Sequence, residues 1–341
     1  MTKQETVLVT GGSGYIGSWC VIALLQQGFV VRTTVRSLAR EPEVRAAIGR
    51  EVDPQDRLSF HAADLTADAG WDAAASGCDF LLHVASPVAI AEPTNADDLI
   101  VPAREGTRRA VSAGLKAGVK RIVLTSSVAA ASPRVGTGES ASDESVWTDL
   151  DDPKVSAYSR SKTLAERTAW DLVGAGTGST TLATINPSVV LGPVLGRDFS
   201  DSVQVVQRLL SGKVPGLPRI GFSFVDVRDV ADLHLRAMTA PEAAGQRFIA
   251  SGDFAWMADV AALLRARLGA DAAKVPTRRV PDLVLRVAAL FDKQLASVVR
   301  RLGEKRTFVS TKARNVLGWQ TRPLEETVFD CARSLIAAGQ A

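Results

Sequence analysis

Short apolar runs separated by longer amphipathic segments set the rhythm of this chain. Val7–Thr10 is a compact β-type run, and Gly11, Gly14 and Gly17 follow it at three-residue spacing. Trp19–Leu25 is then apolar at helical length, and the segment predicts a helix to about Gln27, with Gly28 in the usual place for a left-handed terminator. The same alternation recurs. Strands are predicted at Phe29–Val35, Leu58–Ala62, Phe80–Val84, Arg121–Thr125 and Thr181–Ile185, and helices over Leu99–Lys116 and Ala157–Gly174. The strands are nearly all apolar, as expected where helices cover both faces of a parallel sheet.

Beyond about residue 190 the pattern loosens. Asp229–Ala240 predicts a helix, Pro281–Leu302 a long amphipathic one, and Pro323–Ala338 the last. The expected organisation is a main unit over residues 1–190, to which 223–240 returns. A smaller substrate-binding lobe with C-terminal helices takes 191–222 and 241–341. On the amphipathic helix Leu283, Leu285, Val287, Leu290 and Leu295 are expected to pack, while Arg286, Arg300 and Arg301 read as a solvated face.

Composition narrows the function classes. The chain has 341 residues, 46% hydrophobic and 23% charged, with a formal net charge of +3, too small to argue for nucleic acid. Cys20, Cys78 and Cys331 are scattered and odd in number, which fits free thiols. His61, His83 and His234 are equally dispersed and read as structural or near-site groups, so no metal is expected. No apolar run reaches bilayer length, and the first strand begins too early to leave room for a signal peptide. The expectation is a cytoplasmic protein, monomer or homodimer, with no nucleic-acid or membrane partner.

The candidate chemistry lies at the strand ends, where ligands bind in doubly wound sheets. Strand, glycine turn and helix at Val7–Leu25 form the context a dinucleotide pyrophosphate requires. One glycine permits the turn, one admits the phosphate to bare backbone, and one lets helix and strand approach. The fold class is therefore α/β, a Rossmann-type doubly wound parallel sheet with a smaller C-terminal substrate lobe. Arg36 ends the second strand, where an NAD-binding chain usually carries an acid for the ribose hydroxyls. A guanidinium there suits a 2′-phosphate, and Arg40 stands one helical turn on. Ser127 follows the fifth strand, and Tyr158 and Lys162 are spaced to share one helix face. An ammonium near a phenol is expected to lower the phenol's pKa from about 10 and fit it for general acid–base work.

These motifs resemble the extended short-chain dehydrogenases/reductases, in particular the branch of dihydroflavonol reductases, cinnamoyl-CoA reductases and aldehyde or ketone reductases. The resemblance rests on TGGSGYIG (Thr10–Gly17), VRTTVRS (Val31–Ser37), ADL (Ala63–Leu65), HVASP (His83–Pro87) and LTSS (Leu124–Ser127). It extends through YSRSK (Tyr158–Lys162), NPSVVLGP (Asn186–Pro193), FVDVRDVA (Phe224–Ala231) and LGW (Leu317–Trp319). It implies NADP(H) as cofactor and a small-molecule carbonyl substrate. Tyr158 would be the proton donor, Lys162 the anchor of the nicotinamide ribose, and Ser127 the group that polarises the carbonyl. Gly11, Ser13, Gly14, Tyr15, Ile16 and Gly17 would form the cofactor turn. Arg36 with Arg40 would hold the 2′-phosphate, and Asp64 and Leu65 would flank the adenine. Val84, Ala85, Ser86 and Thr125 would line the cofactor's path, and Pro187, Val190 and Ser202 would lie at the nicotinamide.

Two departures bear on the substrate. Ser132 stands where flavonoid enzymes of the branch carry Asn or Asp, and the cysteine-containing signature of cinnamoyl-CoA reductases is absent between Trp147 and Tyr158. The residues expected around the nicotinamide, Pro87, Val88, Ala89, Ala129, Pro187, Val190, Phe222 and Phe224, are small or apolar. They suggest a medium-sized, uncharged, aromatic or aliphatic ketone or aldehyde. A nucleotide-sugar epimerase or dehydratase, a hydroxysteroid-type dehydrogenase and a non-catalytic dinucleotide sensor are the alternatives on the same fold.

Overall fold

Seven strands come together because the central ones are short apolar runs that bury both faces, which a parallel sheet between helix layers accommodates. A computed structural model describes residues 4–87, 93–134, 139–196, 200–291 and 299–341. Its strands are β1 (Thr6–Thr10), β2 (Val30–Val35), β3 (Leu58–Ala62), β4 (Phe80–His83), β5 (Arg121–Thr125) and β6 (Glu139–Ser142). They continue with β7 (Thr181–Pro187), β8 (Val189–Leu191), β9 (Gly221–Asp226), β10 (Gln246–Ala250), β11 (Phe254–Trp256) and β12 (Lys305–Phe308). The helices are α1 (Tyr15–Gln26), α2 (Glu41–Ile48), α3 (Trp71–Ala75), α4 (Asp97–Ala117), α5 (Ala157–Ala175) and α6 (Asp201–Leu210). After them come α7 (Val227–Thr239), α8 (Met257–Leu268), α9 (Asp282–Ala288), α10 (Thr311–Leu317) and α11 (Leu324–Ala337).

The main sheet is parallel in the order β10-β7-β5-β4-β1-β2-β3. Its direction of winding reverses between β1 and β4, which pair in register from Val7↔Phe80 to Thr10↔His83. A crevice opens at such a point, beyond the carboxyl ends of the strands. Every residue of β4 and β5 is buried, whereas edge strand β3 buries only Leu58. Helix α1 buries most of its surface, Trp19 to Ile22 and Leu24 and Leu25 included, and packs against α7.

Two smaller sheets border the crevice. In one, β9 pairs parallel with β8 and antiparallel with β11; in the other, β12 pairs parallel with β6. The LGW motif anchors the C-terminal part. Trp319 is fully buried and donates from Nε1 to the Asp229 carbonyl of α7 at 2.8 Å.

Two expectations need correction. Gln246–Ala250, placed with the smaller lobe from the sequence, is the seventh strand of the main sheet, in register with β7 from Gln246↔Ala183. Pro281–Leu302 does not form one packed amphipathic helix over its described part. Helix α9 ends at Ala288 and leaves Leu283, Val287 and Leu290 exposed, so only Leu285 of that set packs on the core; Leu295 lies outside the described residues. Among the described residues no helix is long and apolar enough to cross a membrane, and no group of His, Cys, Asp or Glu could hold a metal.

Candidate active site

The crevice is a cleft of about 1390 Å³ along the carboxyl ends of the strands. At its centre is the glycine turn. Gly11 has φ +72°, open to glycine at little cost, and its carbonyl accepts from Gly14 N at 2.9 Å. A Cβ on Gly17 would stand 2.2 Å from that same carbonyl oxygen, so only glycine lets α1 start this close to the turn. Gly14 caps α1 with no side chain of its own, which leaves the first N–H groups of the helix facing the cleft lined by Ser13, Tyr15 and Ile16. This is the cradle an anionic pyrophosphate needs. Tyr15 braces it from behind, its buried hydroxyl donating to Gly192 O at 2.8 Å.

Neighbouring strand ends complete the wall. Thr10 Oγ1 sits 2.8 Å from His83 Nδ1 and accepts from the N–H groups of Val84 and Ala85 at 3.0 Å each. Val84, Ala85, Ser86 and Pro87 thus line the cleft beside Gly11. At the end of β2, Arg36 lines the cleft and forms no ion pair among the described residues. Asp64 and Leu65, after β3, lie at the same end. The Asp64 carboxylate accepts from Thr66 through both side chain and backbone, which with nearby Arg36 and Arg109 holds its pKa below the usual range. Arg40 does not join Arg36. The chain enters a 3-10 turn at Leu38–Arg40, capped by Ser37, and the Arg40 guanidinium pairs with Glu43 at 3.2 Å outside the cleft lining.

On the other side of the switch point, Ser127 stands two residues beyond the end of β5, caps a short 3-10 turn and accepts from Ala129 N at 3.1 Å. Helix α5 is capped by Ser156, which accepts from Ser159 N at 3.1 Å, and this cap sets the first turn that carries Tyr158. The Tyr158 hydroxyl lies beside Ser127, and Lys162 Nζ lies 5.9 Å from the Tyr158 ring centre. Burial raises the Tyr158 pKa and the Ser127 hydrogen bond only opposes it, while burial lowers Lys162 to about 8 against the pull of Glu166. Thr125 lines the cleft and bonds His234 Nε2 at 2.7 Å.

The family model of the NAD dependent epimerase/dehydratase family matches residues 7–250. The chain is 36% identical over 264 residues to "Tetraketide alpha-pyrone reductase 2" of Arabidopsis thaliana, covering 76% of this chain and 81% of that one. It is also 36% identical over 266 residues to "Cinnamoyl-CoA reductase 1" of Oryza sativa subsp. japonica, covering 77% and 76%. Among solved structures it resembles yeast methylglyoxal/isovaleraldehyde reductase Gre2 complexed with NADPH, with TM-score 0.81, 25% identity, and 98% and 100% of the two chains covered. The chain belongs to this family, the extended short-chain dehydrogenases/reductases. It is an NAD(P)-dependent oxidoreductase.

The substrate side of this reductase is only partly as expected. Pro187, Val190, Ser202, Ala129 and Phe222 line the cleft, but Phe224 is buried in the core; Val88 and Ala89 lie outside the described residues. Arg300 and Arg301 are exposed, as expected of a solvated face, and they also line the cleft, with Arg301 lying over Phe222.

A polar network under Ser127 went unseen in the sequence. Glu166, fully buried, accepts from Ser126 Oγ at 2.6 Å, Asn186 Nδ2 at 2.8 Å, Thr184 Oγ1 at 3.0 Å and Arg247 Nε at 2.7 Å. Asn186 also donates to the Ser127 carbonyl at 3.1 Å. The one available signal was Glu166 standing four residues beyond Lys162, on the same face of α5.

Proposed function

We propose that the protein is an NADPH-dependent carbonyl reductase that converts a ketone or aldehyde to its alcohol. One observation carries this reading: Ser127, Tyr158 and Lys162 line the cleft beyond the end of β5, while Arg36, with no ion pair among the described residues, stands across the switch point at the end of β2. The glycine cradle fits a pyrophosphate, and Arg36 fits a 2′-phosphate better than ribose hydroxyls. Relatives that are named reductases, and a structural neighbour complexed with NADPH, support it.

Bound NADPH supplies the hydride. Ser127 Oγ donates to the substrate oxygen and orients the carbonyl. Tyr158, neutral because burial raises its pKa, gives that oxygen its proton as the alcohol forms. Lys162, largely cationic below its pKa of about 8, holds the ribose and stabilises the phenolate left behind. Pro87, Ala129, Pro187 and Phe222 receive the apolar body of the substrate.

The test is NADPH oxidation with a panel of ketones and aldehydes, in wild type and Tyr158→Phe. Tyr158→Phe should lower kcat by roughly 10²–10⁴ with NADPH binding retained. Near-normal turnover in that variant would overturn the mechanism. Inhibition by a UDP-sugar, with no carbonyl reduced, would favour an epimerase.

A further inference from the structure

We propose that the substrate end of the cleft contains an anion subsite formed by Arg301 with Arg306 and Arg300. The carbonyl compound reduced here then has an apolar body and a carboxylate or phosphate at one end. This rests on the carbonyl reductase reading and narrows its substrate class.

All three arginines line the same cleft as Tyr158 and Lys162. The Arg301 guanidinium lies over the Phe222 ring, 4.7 Å from its centre. Stacking fixes the plane of the fork and leaves its edge N–H groups free to donate. Arg306 is held differently: its Nη2 forms an ion pair with Glu304 Oε2 at 2.8 Å, with both side chains mostly buried. Among the described residues that line the cleft, Glu304 is the carboxylate that stands with these three guanidiniums. The other carboxylates that line the cleft are Asp64, at the adenine end, and Asp201, at the start of α6. Among the described residues Arg301 has no ion-pair partner. Arg300 and Arg301 are exposed toward the cleft, so their positive charge is open to an incoming anion, and a cleft lined by one sign of charge concentrates its counter-ion.

The group is built into the fold. Leu302 is buried, Gly303 N donates to Arg219 O at 2.8 Å, and Gly303 turns the chain at φ +76°. Pairing of β12 with β6, Arg306 opposite Ser140, then fixes Arg306. Nor is this the cofactor's phosphate site. Phe222 belongs to β9, which pairs with β8 directly after β7, whereas Arg36 ends β2 on the far side of β1. The uncharged substrate expected from the sequence followed from the small and apolar residues around the nicotinamide and took no account of these arginines.

Matched pairs test the proposal in the unmodified protein with NADPH: benzoylpropanoate against its methyl ester, and dihydroxyacetone phosphate against dihydroxyacetone. The charged member of at least one pair should have the higher kcat/KM by roughly tenfold or more, expressed in KM and shrinking with added salt. The pair that shows it distinguishes carboxylate from phosphate. Arg301→Gln should lower that ratio by about tenfold. Arg301→Lys should lower it less, since it keeps the charge and loses the fork. A ratio near one in both pairs, while the neutral members are reduced, overturns the subsite and leaves the reductase standing. So does an Arg301→Gln effect on the NADPH KM as large as that on the acid. Calorimetric binding of the same pairs in the presence of NADP⁺ reads the subsite without turnover. Equal affinity for charged and neutral members overturns it even if no carbonyl is reduced, an outcome that would by itself count only against the reductase.

Discussion

Replacing Arg247 with methionine is the most direct test of how the floor of the active site is held. Arg247 Nε lies 2.7 Å from Glu166 Oε1, with side chains 9% and 0% exposed. At an effective dielectric of about 20 that separation corresponds to a gross attraction of about 6 kcal/mol. Desolvation of both ions offsets much of it, but the variant does not recover that cost for Glu166, which stays buried. The guanidinium also donates to the carbonyls of Glu144, Val146 and Ala130 at 2.7, 2.9 and 3.3 Å, and lies 3.8 Å from the Trp147 ring centre. Removing one partner of such a pair costs about 3–5 kcal/mol, and urea unfolding at constant m should show that loss. In a Glu166→Gln background the same change should cost at least about 1.5 kcal/mol less. The neutral amide keeps an acceptor for Ser126 and Asn186, and can donate to Thr184. A loss below about 1 kcal/mol, or an equal loss in both backgrounds, would refute the claim that a buried charge is being compensated.

Arg36→Asp should weaken NADPH selectively over NADH, by roughly 10- to 150-fold for each charge-assisted hydrogen bond lost; equal specificity constants for the two cofactors in wild type would refute the assignment. Because Lys162 is cationic below about pH 8, kcat/KM for NADPH should fall as pH rises through that value. Lys162→Arg, which stays charged, should abolish the fall in whatever activity remains, and a wild-type profile flat well above pH 8 would count against the cation's role. The chain has two tyrosines, Tyr15 and Tyr158, and burial raises both. Absorbance titration of the folded protein should therefore show no phenolate at pH values where free tyrosine ionises, about 10; a component ionising near neutrality and lost in Tyr158→Phe would contradict the raised pKa.

What was legible in the sequence depended on how local the causes were. Arg121–Thr125 and Leu58–Ala62 form strands with the predicted bounds, because their own side chains decide the matter. The glycine turn was equally readable, since Gly11 and Gly17 meet within one turn of chain. Gln246–Ala250 hid its place in the main sheet because Arg247 makes it look half-exposed. Its charge is compensated by Glu166, 81 positions away, which no periodicity reveals. The packing expected of Leu283 and Leu290 failed for a related reason. An amphipathic pattern says that two faces differ, not which one meets solvent, and here Leu283 and Leu290 are exposed while Arg301 lines the cleft. Arg40 shows the smallest such failure: a 3-10 turn redirects one side chain that helical spacing would have aimed at the phosphate.

In the proposed mechanism Tyr158 and Lys162 divide the proton and the charge between them. Here the phenol is pushed upward by burial, and Lys162, with Nζ 5.9 Å from the ring centre, is not among the groups that shift it. At neutral pH the group therefore carries the proton that reduction consumes. The ammonium contributes where charge develops: as the proton leaves, the phenolate gains an attraction that the neutral phenol lacks, and stabilisation confined to that moment lowers the barrier without tightening the ground state. Glu166 supports this division of labour. It raises the pKa of Lys162 against desolvation, and its own charge is balanced by Arg247 in place of the lysine. Among the described residues Lys162 has no ion pair and lines the cleft, and the hydrogen bonds from Ser126 and Asn186 to the same carboxylate fix the strand ends that, in the proposed mechanism, aim Ser127 at the substrate oxygen.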